Sequence, residues 1–249
     1  MASTLVETVR VGARVDGSEE TSWTGIYKTG GVCLVLTGVI YLVGAVLSNI
    51  LGPAPSSAEL YMSAIGKRMG LARINFAAFT ITDFLLIPGV LAIYFALKKR
   101  AESVMLLASG LMLLFVVLDL TITELNSLTL VSLAGRYAAA GNEVQRALSL
   151  GAANYALATL PLGTFYSYEV SSLGLLAISV VMLRQKFGKV TALLGIVASV
   201  EGVVGGFYVV LPVLAILLIP SLIAFGLWCV LAGAGVYRVG QRARVMSRG

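Results

Sequence analysis

Residues 103–126 read SVMLLASGLMLLFVVLDLTITELN. From Ser103 to Leu118 no residue is charged; then Asp119, Thr121, Thr123, Glu124 and Asn126 follow in close succession. An apolar run of this kind, extended toward the ~20 residues that cross a bilayer, reads as a membrane span. Acidic residues in its second half are costly there and need a reason.

The pattern recurs on both sides of this stretch. Upstream, one apolar run covers about Gly30 to Leu51 and another about Leu71 to Leu97, closed by Lys98-Lys99-Arg100. Downstream, Gly135 to Arg146 forms a connection of small and charged residues. A fourth run covers about Ala152 to Leu183, long enough to extend beyond the bilayer, and a fifth about Val190 to Val210. The sixth runs from Leu211 to Tyr237 with almost no loop before it. The expected fold is all-α, a polytopic integral membrane bundle of six transmembrane helices. Residues 1–29 are a polar N-terminal segment, 30–237 the membrane domain and 238–249 a basic tail.

Composition agrees. Of 249 residues 58% are hydrophobic and only 12% charged, with a mean hydropathy of +0.94. A soluble domain carries about 25% charged residues, which its wetted surface requires. The net charge of +6 does not point to nucleic acid, because the bases sit in short loops between apolar runs. They report orientation instead. Thirteen Lys and Arg fall on the side of the two termini, the 2–3 loop and the 4–5 loop; Lys67, Arg68, Arg73, Arg136 and Arg146 fall on the other. Both termini are therefore expected in the cytoplasm, in the cell (inner) membrane. No cleavable apolar leader precedes the first run, so the first span is expected to direct insertion.

Between spans one and two, Ser56 to Gly70 reads as a short amphipathic helix on the outer surface. Ser57 is placed to cap it, Glu59 suits its first turn, and Lys67 and Arg68 its last. Leu60, Tyr61, Ala64 and Ile65 are expected on its apolar face. Pro88, Pro161 and Pro220 fall inside spans and are expected to bend them. Small residues recur every four positions at Ala198, Gly202 and Gly206, and at Gly163, Ser167 and Ser171. Such stripes let helices approach closely, within the chain or in a homo- or hetero-oligomer.

Histidine is absent, which excludes histidine-dependent zinc hydrolases and His-based dyads. Cys33 and Cys229 lie in apolar runs, outside any CxxC pair, and read as buried small hydrophobes. No cofactor is implied, and no resident metal is assigned.

The chemistry-bearing candidates are Asp83, Asp119, Glu169 and Glu201, one in each of spans two to five. Counted along the helix from the nearest charge at the cytoplasmic end, they lie ~18–25 Å deep, near a common layer. No Lys or Arg is available at that level. The supporting polar candidates are Thr80 beside Asp83, Thr123 and Asn126 on the face of Asp119, Tyr166 and Ser172 flanking Glu169, and Tyr208 on the face of Glu201. They supply hydroxyls and amides for a carboxylate or a cation. Glu124 and Glu143 are expected nearer the outer surface, solvated. Alternatively, each acid simply hydrogen-bonds across helices and holds the bundle together.

The order of features also resembles a known family. Leu71-Ala72-Arg73-Ile74-Asn75 leads into Asp83, Leu91-Ala92-Ile93-Tyr94 and a basic stop. Val181-Met182-Leu183-Arg184 precedes Phe187-Gly188 and Leu194-Gly195-Ile196, and Leu227-Trp228 precedes Gly235-Val236-Tyr237-Arg238. Over residues about 28 to 240 this resembles the prokaryotic six-helix membrane family called domain of unknown function 4386. The resemblance implies six spans and a prokaryotic inner membrane, and carries no activity or catalytic residue.

Three functions compete. The first is a small transporter, channel or sensor whose intramembrane carboxylates take a proton, a metal cation or an organic amine. The second is a non-catalytic structural or accessory subunit of a membrane complex. The third is a membrane enzyme acting on a lipid or quinone, which lacks histidine, a mid-membrane lysine and a GxSxG motif. Membrane lipid is the expected surrounding partner in each.

Overall fold

Hydrocarbon offers no water to a backbone N–H, so an apolar run closes its hydrogen bonds along its own axis. The computed structural model, which describes residues 23–51, 57–184 and 187–246, is helical along every such run. Helix α1 covers Thr24–Leu51, α2 Ala58–Lys67 and α3 Met69–Leu97, the last followed by a 3-10 turn at Lys98–Arg100. Helix α4 covers Glu102–Leu118, a π-helical turn Asp119–Glu124, and α5 Leu125–Ala139. Helix α6 covers Glu143–Leu183 and α7 Lys189–Gly206. Two 3-10 turns, Phe207–Val209 and Pro212–Leu217, lead into α8, Leu218–Met246.

Six segments are long and apolar enough to cross a membrane: Thr24–Leu51, Met69–Arg100, Glu102–Ala139, Glu143–Leu183, Lys189–Val209 and Pro212–Arg242. This is the architecture of a multi-pass membrane protein. Helix begins at Thr24, inside the segment read as polar, and α8 continues into the basic tail.

The six spans form a closed ring in chain order. Each packs antiparallel on its chain neighbours, and the last returns to the first. That closing contact is the most extensive and brings backbone close to backbone. A Cβ at Gly233 would stand 2.6 Å from the carbonyl oxygen of Gly31, and one at Gly31 2.8 Å from that of Gly233. Gly38 and Gly226 meet in the same way one step along. The expected small-residue stripes are used inside the chain: Gly202 faces Ser172 and Ser221, Gly206 faces Glu169, and Gly163 faces Ile122 and Thr123. Pro88 and Pro161 sit within continuous helices, whereas Pro220 lies in the first turn of α8, where its missing N–H breaks no helical bond.

The ring is filled unevenly. At the end bearing Lys98, Arg184 and Lys189, its interior is a packed apolar plug. Leu34, Leu86, Ile93, Met105, Met112, Ile178 and Met182 are all 0% exposed there, beside the buried Trp228. Trp23 stacks on Phe95 at 4.0 Å at this rim, and the Lys98 ammonium lies 5.0 Å from the Phe95 ring centre. At the opposite end, a second cluster joins Ala58 and Met62 of α2 to Leu130, Leu133 and Ala134 of α5 and to Ala153 and Ala156 of α6.

Helix α2 starts as expected, with the Ser57 hydroxyl accepting from the Leu60 N–H at 3.3 Å. Its buried face is the expected one only in part. Leu60 is 58% exposed and Ala64 is exposed, while Ala58, Met62, Tyr61 and Ile65 pack inward. The helix docks on α5 and α6 by Ala58, Tyr61, Met62 and Ile65, a stripe rotated slightly from the expected one so that Met62 replaces Leu60 inside.

Candidate functional site

Between the plug and the second cluster lies a chamber of about 400 Å³, with walls from all six spans. Span one contributes Tyr41 and Ser48, span two Asn75 and Phe79, and span five Ala198. Span three contributes Phe115, Asp119, Thr123, Glu124 and Ser127. Span four brings Thr164, Tyr168, Ser171 and Ser172, and span six Ser221 and Phe225. Among the described residues no Lys or Arg lines it.

The π-turn builds the acidic wall. On an α-helix, residues five apart diverge by roughly 140°, at 3.6 residues per turn. On that geometry Glu124 turns away from Asp119, and its place toward the outer end of the span led to the expectation of a solvated side chain. In a π-turn the repeat bond runs from i to i+5, so residue i+5 comes to stand over residue i. Asp119 and Glu124 consequently face the same chamber. Glu124 is only 8% exposed, so the expectation of a solvated side chain is corrected. The inserted residue also shifts the pattern beyond it. Ser127, not the expected Asn126, carries the face onward into the chamber. Glu143 is exposed, as its position at the start of α6 implies.

The carboxylates are held by hydroxyls. The single hydroxyl proton of Thr80 in span two is shared between the Glu124 Oε2, at 3.2 Å, and the Phe76 carbonyl in its own helix, at 3.1 Å. Thr80, expected beside Asp83, thus serves Glu124. Asp119 is held by the hydroxyls of Thr123 and Ser167, which lie 3.3 Å apart across spans three and four. Aromatic rings form much of the remaining wall. Tyr41 packs edge-on to Phe79 at 5.5 Å and to Phe225 at 5.1 Å.

Asp83 stands just behind this wall. It is 1% exposed, and among the described residues neither carboxylate oxygen has a hydrogen-bonding partner. It lies near Asp119 and Glu124, and Tyr41 lies near both aspartates. Asp83, Asp119 and Glu124 therefore form one electrostatic group.

Glu169 and Glu201 lie elsewhere. Glu169 points at Gly206 on span five, with Oε1 buried and unpartnered among the described residues. Glu201 is half-buried, with Oε2 likewise unpartnered. Neither lines the chamber. Among their expected companions, Ser172 does line it, Tyr166 is 53% exposed on the outer side of span four, and Tyr208 bonds with Thr164 of span four. Among the described residues no three Asp, Glu or Cys side chains converge as metal ligands would.

Glu124, Tyr41, Tyr168 and Ser127 were not among the sequence-derived candidates. The signal for the tyrosines was present, since each puts a hydroxyl in mid-span where lipid cannot satisfy it. No signal marked the π-turn.

These features define a six-span membrane bundle with an acidic, aromatic chamber between its spans. Comparison with protein-family models, with curated proteins and with solved structures returns no match.

Proposed function

We propose that the protein binds an organic cation in the chamber between Asp119 and Glu124, as a small transporter or sensor. The observation that carries this reading is a cavity of about 400 Å³ holding two carboxylates, several aromatic faces and, among the described residues, no base. That volume lies in the range of small-molecule pockets, roughly 300–1,000 Å³, and exceeds what a bare ion needs. Carboxylate plus aromatic face is the chemistry that holds an ammonium group. A metal cation is less well served, because the acids do not converge as a ligand set.

The packed plug on the basic side supports a chamber approached from the opposite side. With the Lys and Arg bias on the cytoplasmic face, that opening is to the outside of a cell (inner) membrane. The resemblance to the family of domain of unknown function 4386 fits the same six-span order and adds no ligand. An accessory-subunit role has less support, because the small-residue stripes it would offer to partners pack inside the chain.

The test is calorimetric titration of the purified protein with phenethylamine, tetraethylammonium and tetraphenylphosphonium. At least one is expected to bind saturably, and Asp119→Asn to weaken it ten-fold or more. Absence of binding by all three, or equal affinity in Asp119→Asn and Glu124→Gln, would overturn the reading.

A further inference from the structure

Asp83 is the one member of the acidic group that the chamber does not use. Its level follows from the Thr80–Glu124 bond, which aligns spans two and three. Three residues from Thr80 toward the plug, ~4.5 Å along the axis, stands Asp83. On antiparallel span three, the π-turn from Glu124 toward the plug ends at Asp119. Asp83 and Asp119 are thus nearly level, on facing helices. On the plug side of Asp83, Leu86, Val90, Ile93 and Leu34 are at most 1% exposed. No base among the described residues reaches this level: Arg73 and Arg136 are exposed toward the outer end, and the remaining cations sit at the rims.

A carboxylate buried with neither oxygen bonded carries an uncompensated charge, which is costly. A positive charge placed within a few ångströms offsets that cost. We propose that Asp83 is a proton site coupled to the chamber, so that a cation bound at Asp119 and Glu124 displaces the Asp83 proton. This rests on the chamber reading above and adds to it an exchange of one cation for one proton. The O–H bond of the Asp83 carboxyl breaks and its electron pair stays on the carboxylate. The proton leaves by the chamber to water, since the plug closes the other side. The titratable groups facing Asp83 are Asp119 and Glu124 on span three and Tyr41 on span one, with Cys229 of span six acting on Tyr41. Tyr41 lines the chamber and lies near both aspartates, so it stands between the two sites.

The experiment is titration of the tightest-binding of the three cations in buffers of different ionisation enthalpy, which counts protons exchanged on binding. The intact protein is expected to release about one proton per cation. Asp83→Asn, which keeps shape and removes the proton, is expected to bind the cation and release none. Binding by the intact protein without proton release overturns the coupling and leaves the chamber reading standing. Release undiminished in Asp83→Asn overturns the assignment to Asp83. No binding at all sinks both. Should Asp83→Asn fail to fold, Asp83→Ser, also unable to ionise, provides the same comparison.

Discussion

The hydroxyl of Thr80 and the carboxylate of Glu124 meet at 3.2 Å across the interface between spans two and three. This bond sets the register in which Asp83 faces Asp119. Thr80→Val keeps the shape and removes the donor. Losing a hydrogen bond to a charged group costs about 1.5–3 kcal/mol. Thr80→Val should lower the melting temperature of the detergent-solubilised protein, and the loss should shrink when Glu124→Gln is present as well. Additive effects in the double variant would show that the pair does not interact.

The π-turn makes an unusual deletion tolerable. Thr121 is exposed, and among the described residues its hydroxyl bonds only within its own helix, to the Val117 and Leu118 carbonyls. Deleting it converts the turn to α-helix while leaving Asp119 and Glu124 four apart, on one face. Deleting Leu113 instead turns everything beyond it by about 100°, the α-helical step per residue. Size-exclusion profiles should show a monodisperse protein for the first deletion and aggregation for the second. Similar profiles for the two would remove the special role of the π-turn.

Ring closure depends on Gly31 and Gly233, where each Cα faces the other's carbonyl. A methyl group at Gly233 meets backbone, which cannot rotate aside. Overpacking of this kind costs about 1–3 kcal/mol. Gly233→Ala should therefore melt several degrees lower, while Gly151→Ala, with open space around its Cα, should not. Equal melting temperatures would mean that spans one and six can part without loss.

Access to the chamber can be read with cysteines. In a Cys33→Ser, Cys229→Ser background, Ser127→Cys lies on the chamber wall and Ile178→Cys in the plug, at 0% exposure. A water-soluble maleimide should label the first and spare the second. In intact cells the reagent should reach Ser127→Cys if the chamber opens away from the cytoplasm. Labelling of Ile178→Cys at a comparable rate would contradict a sealed plug.

The candidate site was legible in part. Asp119, Thr123 and Ser172 reach the chamber from positions that ordinary helical spacing identifies, and Asp83 sits beside it. Glu169 and Glu201 share its depth without lining it, because depth follows from position in the chain while direction follows from helix rotation. Glu124 and Ser127 were hidden by one extra residue in one turn, which leaves no mark in the apolar pattern.

The sequence by itself determined six apolar helices, the small-residue stripes on them and the bias of their basic ends. Those properties follow from the cost of bare backbone and charge in hydrocarbon, which each segment meets alone. Only the tertiary structure decided which acids share a chamber. That choice depends on the closure of spans one and six, on the π-turn, and on the Thr80–Glu124 bond. Each is a relation between segments or a local change of twist, and neither is encoded in the hydropathy of one span.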